Sequence, residues 1–414
     1  MKKKIIGAVE VSSCAVKLVI GYVLDGEVIV LNTVVSPLEE GAVLDGDIHD
    51  FALVSKTIAS TVKEGAQSLP FPVQDWVMVL PPIGFEVYEH SQTTSVVSAV
   101  GRIAKLDVEN VLSQVSKART TDGSMIVDIL PDAYILDQGQ TFPEPPIGQI
   151  SNSLGIKVKL HVCPIHIVNA YKKVFMQANI RCNKMIVAPY AGLEVVKAEK
   201  NIPADFLLID LGARMTSIHL IGQGSVVAST FMYQGANHIV DKISSTYGLD
   251  FKSAQDMMEM YGFDHQSIRF DAPLFSVVNE NQKQKNSYTV GHFRQSMESF
   301  VQDYVQEIVH SMEELAKQTE DVIMQLPIFF IGGGINLHGL EDVLKEALPN
   351  NTIRMITPHA IGARDSRMTN VLGALKIFGM IRPIEDIIEE EKVEVNGKTR
   401  KIKMHRESAL DDLL

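Results

Sequence analysis

Leu208-Ile209-Asp210-Leu211-Gly212 decides how this chain is read. Phe206 to Ile209 is a continuous apolar run, the signature of a strand buried on both faces. Asp210-Leu211-Gly212 turns it sharply, and Met215 to Ile221 and Ser225 to Phe231 follow as partner strands. The opening of the chain has the same layout. Gly7-Ala8-Val9-Glu10-Val11-Ser12-Ser13 is an apolar run ended by a polar turn, followed by strands over Val16 to Val23 and Val28 to Val35, with Asp25-Gly26 as the hairpin signal between them. Two copies of one meander in a single chain predict two similar domains facing a cleft. A third turn follows another buried run, Pro327 to Ile331, and reads Gly332-Gly333-Gly334. Turns of this kind present backbone N–H groups and hydroxyls to phosphates, and glycine lets the backbone lie close to a ligand.

Working outward, helical spacing marks Asp50 to Leu69, Ile165 to Ala178, Ala236 to Tyr247, Lys252 to Met260, Phe293 to Thr319, Leu340 to Leu348 and Met368 to Phe378. Asp75 to Leu80 is a short strand stopped by Pro81-Pro82. The stretch from 84 to 162 has a pattern of its own. Strands are expected over Ile126 to Asp137 and Lys157 to His161, and a helix over Asp107 to Lys117 with Asp107 as its cap. The expected division is a first lobe over 1–83 and 163–200, an inserted α+β subdomain over 84–162, a second lobe over 201–380, and a tail over 381–414 with a hairpin at Asn396-Gly397 and a short terminal helix.

The bulk numbers exclude several classes. The 414 residues are 46% hydrophobic and 21% charged, as in an ordinary soluble protein. A net charge of −12 argues against nucleic-acid binding. The three widely spaced cysteines, Cys14, Cys163 and Cys182, fit a reduced cytosolic protein, and no metal-ligand spacing is present. The basic start reads as a first strand, not a signal peptide. No apolar run approaches the ~20 residues of a membrane-spanning helix, so work at a membrane would require tethering or recruitment.

The three turns, in this order, resemble the actin-like ATPase fold. Within that superfamily the chain is similar to the FtsA family of bacterial division proteins over roughly its first 380 residues. The resemblance is carried by Ile147-Gly148 through Leu160-His161-Val162, Met185 to Glu194, Gln234-Gly235-Ala236-Asn237-His238-Ile239, Ile361-Gly362-Ala363-Arg364-Asp365, and an insertion of the SHS2 type. It implies an α/β fold of two actin-like lobes around a nucleotide cleft, with the α+β insertion in the first lobe. It implies ATP with Mg²⁺ as cofactor. Cofactor contacts fall at Ser12, Ser13, Asp210, Gly212, Arg214, Gly332, Gly333 and Gly334, metal contacts at Glu10 and Asp210, and the candidate catalytic acid is Asp210. The C-terminal peptide of the tubulin-like FtsZ is the implied partner, at a second-lobe surface with Asn237, Arg294 and Tyr304 as candidates. Self-association in filaments and contacts with other division proteins are implied too. The implied place is the cytoplasmic face of the membrane at the division site, with the tail a weak anchor.

The departures shape the mechanism. Where the family reads Asp-Ile-Gly-Ser-Ser-Lys, this chain has Glu10-Val11-Ser12-Ser13-Cys14-Ala15. Where it reads Asp-Ile-Gly-Gly-Gly-Thr-Thr-Asp, this chain has Asp210-Leu211-Gly212-Ala213-Arg214-Met215-Thr216-Ser217. A Cβ where φ must be positive costs roughly 1–2 kcal/mol and would crowd a phosphate. Two readings follow: Arg214 itself grips a phosphate, or the cleft holds nucleotide weakly or not at all; the expectation is the second, a scaffold with degraded nucleotide binding and at most a weak ATPase. Glu10 either binds Mg²⁺ or pairs with Lys17. The alternatives are a PilM-like or paralogous adaptor for envelope assembly, and an active actin-fold ATPase.

Overall fold

The computed structural model describes residues 4–261, 271–279, 284–319, 322–337 and 340–381. The expected tail hairpin and terminal turns lie outside these residues.

The first lobe opens with β1 (Ile6–Val11), β2 (Ala15–Leu24) and β3 (Glu27–Pro37), an antiparallel meander. A small ribbon, β4 (Val43–Leu44) and β5 (Asp47–Ile48), leads to α1 (Phe51–Gln67), whose first turn is capped by the Asp50 carboxylate on the Leu53 N–H at 2.8 Å. Next, β6 (Asp75–Leu80) pairs parallel to β1.

The insertion then begins: β7 (Glu86–Ser95), α2 (Lys105–Val115), β8 (Ser124–Leu136), β9 (Thr141–Phe142) and β10 (Ser153–Pro164), with β10 at the centre between β7 and β8. It closes its own core around Val111, Leu112, Leu154, Ile156 and Val158. Helix α2 starts two residues before the expected Asp107. That residue sits inside the first turn, where its carboxylate accepts from the Ala104 and Val97 N–H groups at 2.8 Å each. Ala104 has no side-chain acceptor, so Asp107 reaches back in its place.

The chain returns through α3 (Ile165–Gln177), β11 (Lys184–Val187), which pairs parallel to β6, and α4 (Ala188–Val196). The second lobe repeats the plan: β12 (Phe206–Leu211), β13 (Thr216–Gly222) and β14 (Ser225–Met232) form a meander, followed by α5 (Asn237–Tyr247) and α6 (Phe251–Tyr261). A hairpin, β15 (Pro273–Asn279) and β16 (Gln284–Thr289), precedes the long α7 (Val290–Gln318). Then β17 (Ile328–Ile331) pairs parallel to β12, α8 (Leu340–Ala347) follows, β18 (Ile353–Met355) pairs parallel to β17, and α9 (Thr369–Met380) is the last described helix.

The two principal sheets have one topology, β3-β2-β1-β6-β11 and β14-β13-β12-β17-β18: a meander extended by two parallel strands. The equivalence extends to single residues, because Glu10 and Asp210 are each the fifth residue of a six-residue strand with the same burial pattern. This is an α/β, actin-like fold. Helices α4 and α9 pack against each other between the two sheets, with Ala191, Val371, Ala374 and Leu375 in their shared core.

Two imidazoles are sealed inside. His219 lies between the Ser229 hydroxyl at 2.7 Å and the Ser217 hydroxyl at 2.9 Å, and burial lowers its pKa from 6.5 to about 3. His161 is lowered to about 3 as well, first by burial and then by Lys184 and Lys159. Both are neutral in the native state. Their contribution is therefore complete above pH 6.5 and is lost as pH falls toward 3. Each imidazole should remove about 1.4 kcal/mol of stability per pH unit in that window. Urea midpoints measured across it should fall, and the His219→Gln variant should show a shallower slope. An unchanged slope in that variant would refute the assignment.

Candidate functional site

A cleft of about 1120 Å³ lies between the lobes. Ser12 and Ser13 come from the β1–β2 turn, Gly212 and Arg214 from the β12–β13 turn, and Gly332, Gly333 and Gly334 from the turn after β17. All of them line it, together with Glu10 and Asp210. The sequence-nominated cofactor and metal residues therefore share one space.

The two hairpin turns are built alike. The Ser12 N–H donates to the Ala15 carbonyl at 2.9 Å, and the Gly212 N–H donates to the Met215 carbonyl at 2.9 Å. The Ser12 hydroxyl also donates to the Ala15 carbonyl at 2.9 Å, so it serves its own turn. The second turn is held from behind: its Gly212 and Ala213 carbonyls accept from the Ala236 and Asn237 N–H groups at 2.9 and 2.8 Å. The strain expected from the lost glycines is absent, since Ser12, Ser13, Ala213 and Arg214 all avoid positive φ. The positions that lost glycine therefore carry a Cβ without backbone strain, whereas a Cβ at Gly212 would lie 2.6 Å from the Met215 carbonyl oxygen.

The third turn requires glycine for its backbone conformation as well as for space. Gly332 has φ +88°, and a Cβ there would lie 2.1 Å from Asp210 Oδ1 and 2.7 Å from the Leu211 carbonyl oxygen. Gly332→Ala should cost roughly 1–2 kcal/mol from the backbone alone, and more from the contact. At Gly333 a Cβ would meet only the Arg367 side chain at 3.0 Å, a flexible neighbour. Gly333→Ala should therefore be much milder in a urea-denaturation comparison. Equal losses would refute the distinction.

The floor of the cleft joins the lobes. Asn370, at the start of α9, donates through Nδ2 to Glu10 Oε1 at 3.2 Å and to Asp210 Oδ2 at 2.9 Å, linking the two equivalent acids. Lys17 Nζ donates to Glu10 Oε2 at 3.0 Å. Burial opposes the charge on Lys17, but Glu10 and Asp210 outweigh it and raise the pKa. Burial raises the Asp210 pKa; the Asn370 hydrogen bond works against this, Glu10 adds to it and Lys17 opposes it.

Cations at the rim are already engaged. Arg214 pairs with Asp241 of its own lobe and Glu40 of the other, and lies 5.4 Å over the Phe251 ring. Arg367 Nε donates to Asp365 Oδ2 at 2.9 Å, and its Nη2 donates to the same oxygen at 2.6 Å. From α6, Phe251, Gln255 and Met258 supply the less polar wall.

The nominated partner residues sit elsewhere. Asn237 faces the cleft. Arg294 is 2% exposed and Tyr304 is fully buried, its hydroxyl 2.6 Å from that of Thr216. Both are inside the second lobe and present no surface to a peptide. Asn370 and Arg367 were missed from the sequence. A lone amide opening the apolar segment Val371 to Phe378 was the available signal.

The family model of the SHS2 domain inserted in FTSA matches residues 85–162. Cell division protein FtsA of Staphylococcus epidermidis is 20% identical over 376 residues, 89% of this chain and 77% of that protein. The protein of the same name from Streptococcus pneumoniae is 21% identical over 378 residues, 91% of this chain and 80% of its own. Among solved structures, a chain of the PilM–PilN type IV pilus biogenesis complex superposes with a TM-score of 0.60 at 16% identity, covering 90% of this chain and 98% of that one. The ethanolamine utilization protein EutJ from Carboxydothermus hydrogenoformans gives 0.50 at 13%, covering 89% and 88%. These structural likenesses speak to the fold. With the duplicated sheets and the SHS2 insertion, the similarity along about nine-tenths of the chain supports an FtsA-like protein.

Proposed function

We propose that the chain acts in cell division as an FtsA-like adaptor that binds FtsZ and helps organise or tether the division ring. The observation that carries this reading is the SHS2 insertion in the first of two actin-like lobes, in a chain similar to division proteins along about nine-tenths of its length. Self-association through actin-like lobes and contacts of the insertion with other division proteins belong to the same reading. No helix among the described residues is long and apolar enough to cross a membrane, so contact with the inner membrane face would be peripheral.

In this reading the cleft is a structural joint more than an ATP engine. Three of the four cations that line the cleft are paired with acids: Lys17 with Glu10, Arg214 with Glu40 and Asp241, Arg367 with Asp365. A nucleotide would have to break these pairs. With Arg294 and Tyr304 inside, the FtsZ peptide would dock on other side chains of the second lobe.

Co-pelleting of the purified chain with FtsZ polymers tests the proposal. Recovery with intact FtsZ and loss with FtsZ lacking its last residues are expected; failure to pellet with either overturns it. A fluorescent fusion should form a midcell band, whereas polar or dispersed signal would favour an envelope-assembly adaptor. Calorimetric titration with Mg-ATP should show binding weaker than micromolar, and phosphate release would refute the scaffold reading.

A further inference from the structure

The cleft floor carries two carboxylates from equivalent strand positions, and a lysine of this chain already pairs with one of them. Lys17 pairs with Glu10 across the β1–β2 ladder, and both side chains are largely buried, 14% and 12% exposed. The second lobe has Ser217 at the register position facing Asp210, so only the first lobe supplies a cation there.

A Mg²⁺ ion requires oxygen ligands at about 2.0–2.1 Å in near-octahedral array, with waters and substrate phosphates completing one or two carboxylates. The residues present do not fit it. Glu10 has both oxygens engaged, Oε2 by Lys17 at 3.0 Å and Oε1 by Asn370 at 3.2 Å. Asp210 Oδ2 accepts from Asn370 at 2.9 Å, and Asp210 Oδ1 is packed against Gly332. A divalent ion in reach of either acid would also share the site with the Lys17 ammonium, a like charge that cannot move to water without abandoning Glu10. Among the described residues, no group of three or more His, Cys, Asp or Glu could hold a metal ion.

We infer that the Lys17 ammonium takes the place of the divalent cation in this cleft, so that the protein binds no Mg²⁺ at Glu10 and Asp210, and a phosphate-bearing ligand enters independently of divalent metal. The inference rests on reading the cleft as the counterpart of a nucleotide cleft. Its test is separate from the FtsZ experiment, so either can fail alone.

The full chain is titrated with Mn²⁺ and followed by electron paramagnetic resonance. Melting is compared in millimolar Mg²⁺ and in EDTA at matched ionic strength. The wild type should retain no stoichiometric Mn²⁺ and should melt at the same temperature in both buffers. Lys17→Met frees Glu10 Oε2 and removes the like charge from the site, so the variant should acquire a Mn²⁺ site and melt roughly 5 °C higher in Mg²⁺ than in EDTA. Adding Asp210→Asn should remove that gain. A fluorescent ATP analogue should show the same affinity for the wild type in Mg²⁺ and in EDTA. One Mn²⁺ bound tightly by the wild type and lost in Asp210→Asn overturns the inference, as does analogue binding that needs Mg²⁺. If Lys17→Met does not fold, the wild-type Mn²⁺ titration decides alone.

Discussion

Lys184→Met is expected to cost the folded chain about 3–5 kcal/mol at neutral pH. Lys184 on β11 and Asp128 on β8 form an ion pair of 2.7 Å with side chains 2% and 1% exposed, joining the first lobe to the insertion. The surroundings are apolar and aromatic: His161 packs edge-on against Phe85 and Tyr190, each at 5.1 Å between ring centroids. Removing the ammonium leaves a carboxylate in this setting with the Ile129 N–H at 2.8 Å as its remaining donor. Burial already raises the Asp128 pKa, and Lys184 is what opposes that rise. A raised carboxyl pKa favours the native state at pH below the unfolded value, and this contribution is lost as pH rises through the folded value. The Lys184→Met penalty should therefore be largest at neutral pH and shrink on acidification, as Asp128 takes up a proton. Lys184→Met with Asp128→Asn should recover most of the loss, because the amide keeps an acceptor and carries no charge. Chemical denaturation of the three variants measures this. A loss under about 1 kcal/mol in the single variant would show the pair to be dispensable.

Gly373→Ala should cost about 3 kcal/mol, the upper end for overpacking. Glycine within a helix is ordinarily worse than alanine by about 1 kcal/mol, so propensity alone predicts a gain. The contact decides otherwise: a Cβ at Gly373 would lie 1.8 Å from the Ala191 carbonyl oxygen, 2.5 Å from its carbon and 3.1 Å from its Cα. These are backbone atoms of α4, which no rotamer change can move. The next residue of α4 is crowded too, since a Cβ at Gly192 would meet Ile331 Cδ1 at 2.5 Å and Asn370 Oδ1 at 3.0 Å. Helix α9 would have to move away from α4 and carry Asn370 off Glu10 and Asp210. Gly379→Ala is the control, because the nearest atom there, Val23 Cγ2 at 2.4 Å, belongs to a side chain. A stability gain in Gly373→Ala would contradict the close helix crossing.

The position of Tyr304 was legible from periodicity. Phe293, Met297, Val301, Tyr304, Ile308, Met312 and Leu315 recur at three- and four-residue steps and form the buried stripe of α7. Its nomination as a partner residue followed chain position in a resembling family, and helix register outweighs that. Arg294 falls on the same side of the helix, four residues after Val290 and three before Met297, which explains its burial. The loss of turn glycines was legible as well, but its consequence was not. Whether a turn needs positive φ depends on the strands it joins, and within the three cleft turns only Gly332 adopts it.

The sequence by itself determined the two copies of one sheet and the acids that end their first strands, because buried-strand runs and turn residues are local signals set by period and backbone conformation. It also marked the segment inserted in the first lobe. Only the tertiary structure decided what the acids meet. Asn370 lies 360 residues from Glu10 and 160 from Asp210, and Arg214 finds Glu40 across 174 residues. Pairings of that kind depend on how α4 and α9 set the lobes against each other, and no local pattern of charge or hydropathy encodes that geometry.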